Sequence, residues 1–217
     1  HDLTHPVMWE VWEQRYGKRY YHFVYKDVLF LVLDTEDNPP EEQERIFRIR
    51  EESMKIIAEE GWEAFDRTGY AALTERKSGR ISADQASYFQ QVIDQNTGVR
   101  WTFLLMHKPA WERPDEENFS RIEMALAERP YTVFHGHVHS YLHSQRHGRD
   151  YIRLATTGGV QNADKDLSID HVTLVTVSDS SVDVANLRLS GIFDRSGKIP
   201  AGGENLCFEA AVCGEEK

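Results

Sequence analysis

The residues best suited to chemistry are histidines in the middle of the chain. His137 and His139 lie one residue apart and directly follow Gly136, a residue type that permits unusual backbone conformations. In an extended chain alternate side chains point the same way, so these two imidazoles would reach one metal ion or two adjacent ions. Neutral imidazole suits Zn, Fe, Mn or Ni better than Ca or Mg. The spacing therefore predicts a transition-metal site, and the alternative is an exposed turn that binds nothing.

Two short apolar segments position these histidines. Residues 101–106 run directly into His107, and residues 131–134 lie just before the histidine pair. Both segments are predicted strands. In layered α/β proteins, ligands and catalytic groups gather just beyond strand ends. We therefore expect His107 to join His137 and His139 as a metal ligand.

Three further histidines are expected to stay outside this site. His135 points opposite to His137 in an extended chain, so we expect it to pack against its surroundings or to support the site from behind. His143 and His147 follow no strand end that would aim them at a ligand, and we expect both at the surface.

The segments around these histidines resemble a known family. Residues 106–109 (MHKP) and 134–141 (FHGHVHSY) resemble the last two motifs of the calcineurin-like metallophosphoesterases. The opening His1 and Asp2 resemble the second half of that family's G-N-H-D motif. The likeness extends over most of residues 1–190, and the combination of the three motifs is more specific than any one of them. It implies a metal-dependent phosphoester hydrolase.

The resemblance implies a dinuclear centre of divalent or trivalent ions (Mn, Fe or Zn) and a role for five residues. His107 and His137 would bind one metal, and His139 would bind the other. His1 would stand beside the scissile phosphate and assist the leaving group, and Asp2 would hold the His1 ring in place. In this chemistry a metal-bridging hydroxide attacks phosphorus. The implied partner is a phosphoester substrate, a monoester or a diester, small or macromolecular.

The chain departs from the family at its start. The family's D-x-H and G-D-x-x-D motifs, which supply carboxylate ligands, are absent, and Asp34, Asp37 and Asp94 lie in the wrong order to replace them. We therefore expect the chain to be the C-terminal portion of a larger enzyme, without meaningful activity of its own. The alternative is a non-catalytic remnant of that fold, which binds metal or serves as an interaction domain.

Composition narrows the class of partner. The 217 residues include 25 Lys and Arg against 36 Asp and Glu, which gives a net charge of −11. This acidity argues against a diffuse basic face for nucleic acid or an anionic membrane, and so against a nuclease of the same family. It is compatible with a phosphate substrate, because a bound metal reverses the local field. No apolar run of about 18 residues is present to span a bilayer.

Two loop segments have more than one interpretation. Asp34 follows a predicted strand, and its expected role is that of a turn residue. Residues 156–159 (TTGG) also follow a predicted strand. They form either a tight turn or a loop whose backbone N–H groups face the substrate.

The order of elements predicts an α/β (α+β) fold, a layered sandwich of mixed β-sheets flanked by helices. The resemblance implies that this fold is incomplete at its N-terminus, with residues 1–190 as the C-terminal portion of a metallophosphoesterase domain and residues 191–217 as a loop or tail. Lys26 and Asp27 are the expected tip of a hairpin, and Ser82 is the expected N-cap of a helix. Strands are predicted at 20–26, 28–34, 101–106, 131–134, 150–155, 171–177 and 182–189, and helices at 41–60, 82–98 and 119–128.

Overall fold

The computed structural model describes residues 5–162 and 164–189, and it has the expected α/β (α+β) fold of helices and mixed β-sheet. The chain divides into an N-terminal unit, residues 1–131, and a C-terminal unit, residues 132–217. His1, Asp2 and the predicted tail lie outside the described residues.

The sheet of the N-terminal unit begins with the predicted hairpin. β1 (Tyr21–Tyr25) pairs with β2 (Val28–Val32) in the antiparallel sense. Lys26 and Asp27 form the turn, with φ of 48° and 58°. Two consecutive positive φ values give a turn whose twist matches that of the flanking strands. The short turn therefore sets the register of the hairpin.

β3 (Trp101–Leu105) pairs with β2 in parallel. The carboxyl ends of both strands consequently meet at one edge, so the residues that follow them lie close together. Leu29, Leu31 and Leu104 are fully buried, which confirms that these strands carry the core of this unit. Burying each such side chain contributes about 1.5–3 kcal/mol.

Local signals explain where the helices of this unit begin. The Ser82 hydroxyl accepts a hydrogen bond from the Gln85 N–H at 3.2 Å and caps α5 (Ala83–Gln95), as predicted. Phe89 and Ile93 of α5 are fully buried. The other helices are α1 (Pro6–Tyr16), α2 (Pro40–Glu60), α3 (Gly69–Ala72), α4 (Thr74–Lys77) and α6 (Asn118–Ala125), with 3₁₀ turns at Trp62–Arg67 and Ala110–Glu112. No helix in 5–162 or 164–189 is long and apolar enough to cross a membrane.

The C-terminal unit contains a second set of strands. β4 (Tyr131–His135) is buried along its whole length and runs parallel to β6 (Arg149–Arg153). β5 (Leu142–Arg146) pairs with β6 in the antiparallel sense. β7 (His171–Val177) and β8 (Val182–Arg188) form a separate antiparallel hairpin, at the predicted positions. The loop between β6 and β7 therefore starts near the carboxyl end of β4.

Candidate metal-binding histidines

His107 stands where the sequence predicts, two residues beyond the end of β3. Its side chain is exposed and lines a cavity of about 520 Å³ in the N-terminal unit. One wall of the cavity is the apolar and aromatic side of α1, which includes Trp12 and Tyr16. The floor is formed by the residues that follow β2, including Asp34 and Glu36. A cavity of this size is typical of small-ligand sites.

The residue after His107 is fixed by a buried ion pair. Lys108 is 4% exposed; its ammonium pairs with Glu36 and also donates to the Glu75 carbonyl at 2.8 Å. The Lys108 backbone N–H donates to the Thr35 hydroxyl at 3.0 Å. Burial acts to raise the pKa of Glu36, but the charge and the hydrogen bond of Lys108, together with other nearby positive charges, hold that pKa below its ordinary value. These contacts hold the backbone of His107 in place at the rim of the cavity.

Asp34 is the turn residue that the sequence predicts. Its carboxylate accepts from the Glu36 N–H at 2.9 Å, which closes an Asx turn at the end of β2. Arg19 forms an ion pair with it at 2.5 Å. Burial raises the pKa of Asp34 to about 6, although the Arg19 guanidinium opposes the rise. The Asp34 and Glu36 carboxylates in the cavity floor are thus engaged in ion pairs with Arg19 and Lys108.

The segment that carries His137 and His139 is not extended, and the expected backbone geometry is wrong. β4 ends at His135, and Val138 N–H then donates to the Gly136 carbonyl at 2.9 Å in a tight turn. His137 and His139 adopt φ of 75° and 58°, so the histidines themselves occupy the left-handed region that Gly136 was expected to supply. Strand alternation therefore does not describe where the two imidazoles point. Left-handed conformations cost about 1–2 kcal/mol per residue and cluster at functional sites.

One hydrogen bond selects the tautomer of the neutral His139 ring. Its Nδ1 lies 2.6 Å from the carbonyl oxygen of Val160. A carbonyl oxygen only accepts hydrogen bonds, so Nδ1 must carry the proton and the neutral ring is left with an unprotonated Nε2. Metal-ligating histidines commonly have this arrangement, in which one ring nitrogen donates to a carbonyl and the other binds the metal. The donor set is thus of the right kind for Zn, Mn or Fe at this residue.

The loop between β6 and β7 holds the histidine segment in several places. Ser168 Oγ donates to the His139 carbonyl at 2.6 Å, and Lys165 Nζ donates to the Val138 carbonyl at 3.1 Å. Gly158 N–H donates to Asp170 Oδ1 at 2.7 Å, so this backbone donor of the 156–159 segment is engaged within the loop. At this position the tight turn is the interpretation that fits, rather than a substrate contact.

Four other histidines are either buried in the fold or exposed at the surface. His135 is 5% exposed at the end of β4, as expected for a packing residue. His143 and His147 are exposed, which confirms their surface placement. The Nε2 atom of His143 lies 2.8 Å from Oδ1 of Asp150. His171 is buried, and its Nε2 accepts from the Ala155 N–H at 3.0 Å.

Two contributors to the His139 environment carried no sequence signal. Val160 acts through its backbone carbonyl, and Asp170 is 31 positions from His139 in sequence and belongs to no recognisable motif. Within 5–162 and 164–189, no group of three or more His, Cys, Asp or Glu side chains is placed to hold a metal ion. The expectation that His107, His137 and His139 share a centre stays a prediction, and the roles expected of His1 and Asp2 fall outside the described residues.

Comparison with protein families and with curated proteins identifies no relative of this chain. No protein-family model matches the chain, and a search of curated proteins returns no significant match. The resemblance to the calcineurin-like metallophosphoesterases therefore depends on the motifs described above.

Proposed function

We propose that this chain provides part of the centre of a metal-dependent phosphoester hydrolase, with His107, His137 and His139 as metal ligands. The observation that supports this most directly is the bond from His139 Nδ1 to the Val160 carbonyl. It leaves Nε2 unprotonated and presents His139 in the form that a metal requires. A solvated surface histidine requires neither a left-handed backbone conformation nor a fixed tautomer, so the two features together favour a functional role.

Each residue has a separate task in this proposal. When bound, two metal ions would neutralise the phosphate oxygens and lower the pKa of water toward neutrality. The exposed His107 would bind metal at the rim of the cavity, which has room for the organic group of the ester. His1 would donate a proton to the leaving oxygen, because imidazole titrates near neutral pH, and Asp2 would keep its ring oriented.

Metal binding by the 217-residue chain is the first test. We would titrate the purified chain with Zn²⁺ and Mn²⁺ by calorimetry and compare it with His139→Ala. The exposed His143→Ala is the matched control, since both variants remove one imidazole from the same unit. Binding that is lost in His139→Ala and kept in His143→Ala supports the proposal. Equal affinity in the two variants contradicts the role of His139.

Hydrolysis distinguishes the enzyme from the alternative class of protein. The 217-residue chain should turn over an aryl phosphate monoester or diester negligibly, because it lacks the carboxylates that would balance two metals. A protein that carries D-x-H and G-D-x-x-D motifs together with these residues should hydrolyse the ester with Mn²⁺. In that protein His1→Ala should retain metal and slow turnover about 10²–10⁴-fold. Metal binding without hydrolysis would favour the non-catalytic metal-binding or interaction module.

A further inference from the structure

Asp170 is a buried carboxylate that accepts three hydrogen bonds from the loop before β7. It is 4% exposed. Its Oδ1 accepts from the Thr156 hydroxyl at 2.5 Å and from the Gly158 N–H at 2.7 Å. Its Oδ2 accepts from Gln161 Nε2 at 3.0 Å. A carboxylate removed from water is costly unless it is hydrogen-bonded in this way, so the three donors and Asp170 constrain one another.

Two of the residues that donate to Asp170 flank Val160 in the sequence. Gly158 precedes Val160 by two residues, Gln161 follows it directly, and Asp170 binds both. The Val160 side chain is 47% exposed, so its own packing does little to fix the residue. The position of the Val160 carbonyl therefore depends on the hydrogen bonds that Asp170 makes to the flanking residues.

The Val160 carbonyl in turn selects the tautomer of the neutral His139 ring. It accepts from His139 Nδ1 at 2.6 Å. The side chain of Asp170 is consequently linked to the His139 ring through one backbone segment, although the two residues are 31 positions apart.

We propose that Asp170 is a positioning residue that fixes the tautomer and orientation of the His139 imidazole through the Val160 carbonyl. The effect on the tautomer is independent of the proposed function. The effect on metal affinity rests on the proposed function, because it requires His139 Nε2 to be a metal ligand.

The tautomer is measured directly, without metal, by long-range ¹H–¹⁵N correlation of the histidine rings. The spectra are recorded on the ¹⁵N-labelled 217-residue chain at about pH 8, above the ordinary pKa of histidine. In the unmodified chain His139 should carry its proton on Nδ1. In Asp170→Ala the loop loses its anchor, and His139 should become a mixture of both tautomers. Asp170→Asn keeps an acceptor for Thr156 and Gly158 and should restore the Nδ1–H form.

Two further variants keep the test decisive. Asp183→Ala removes an exposed carboxylate from β8 of the same unit and should leave the His139 signals unchanged. Thr156→Val removes one donor to Asp170 with little change in volume. It serves as the second perturbation if Asp170→Ala does not fold, and it should shift the His139 tautomer in the same direction. A proton on Nε2 in the unmodified chain, or a folded Asp170→Ala with unchanged His139 signals, overturns the proposal.

Zn²⁺ affinity is measured on the same proteins by calorimetry. Asp170→Ala should bind Zn²⁺ about 10–100-fold more weakly, the usual effect of losing a group that orients a metal ligand, and Asp170→Asn should recover most of that loss. A changed tautomer with unchanged affinity overturns the link to metal. If the unmodified chain does not bind Zn²⁺ at all, the proposed function fails, while the tautomer measurements still decide the role of Asp170.

Discussion

Replacing His137 by glycine and by alanine measures the backbone strain in the turn after β4. Both substitutions remove the imidazole, so their difference reports the backbone alone. At φ of 75° an alanine incurs the left-handed penalty of about 1–2 kcal/mol, which glycine avoids. Glycine also loses about 0.5–1 kcal/mol more conformational entropy on folding. We therefore expect His137→Gly to be more stable than His137→Ala by roughly 0.5–1 kcal/mol.

Chemical denaturation of both variants, followed by circular dichroism, measures this difference. The same pair at His143 is the matched control, because His143 lies within β5, where the backbone is extended. There the sign should reverse, with His143→Gly less stable than His143→Ala by about 0.5–1 kcal/mol. If glycine is the weaker substitution at both positions, the left-handed conformation of His137 is incorrect and the argument for strain at this site fails.

Two further predictions concern the buried charges around the cavity floor. Burial raises the pKa of Asp34 to about 6, above its unfolded value of about 3.9, so the folded state binds the extra proton and stability falls as pH rises from about 4 to about 6. Across that range Asp34 should lower the free energy of unfolding by up to roughly 3 kcal/mol, and this decline should flatten in Asp34→Asn. If the free energy of unfolding falls with pH equally steeply in the variant, the raised pKa is not that of Asp34. Lys108→Met removes the cation that pairs with the buried Glu36 and should lower the free energy of unfolding, measured in urea, by about 3–5 kcal/mol. The double variant Lys108→Met/Glu36→Leu should recover much of that stability. No recovery in the double variant would show that the ion pair is not what Lys108 contributes.

Elements with a strong local pattern were predictable from the sequence. β7 was predicted at its observed residues, because it is rich in branched side chains and has turn-forming segments on either side. The start of α5 followed from one capping hydroxyl ahead of an apolar stripe. α1 was missed because it lacks a clear apolar stripe, and Val7 and Tyr16 are 53% and 67% exposed. β5 was missed because its side chains are mostly polar and exposed.

For the candidate histidines, the position relative to the strands was predictable from the sequence, but the backbone geometry was not. The position of His107 after a strand followed from the apolar run before it. The expectation for His137 and His139 assumed that the strand continues, whereas the chain turns at Gly136 and alternation stops applying. The Val160 carbonyl has no side-chain signature, and Asp170 is brought near it only by tertiary folding.

The parallel pairing of β2 with β3 has a consequence for how the chain is made. Residues 33–100 must emerge from the ribosome before β3 exists, and closing a loop of that length slows the pairing. Until then the edge of β2 that pairs with β3 has no strand partner, and its backbone N–H and C=O groups form an open sheet edge. Nascent or truncated chains that end before β3 should therefore aggregate and engage chaperones, while chains that extend beyond Leu105 should not.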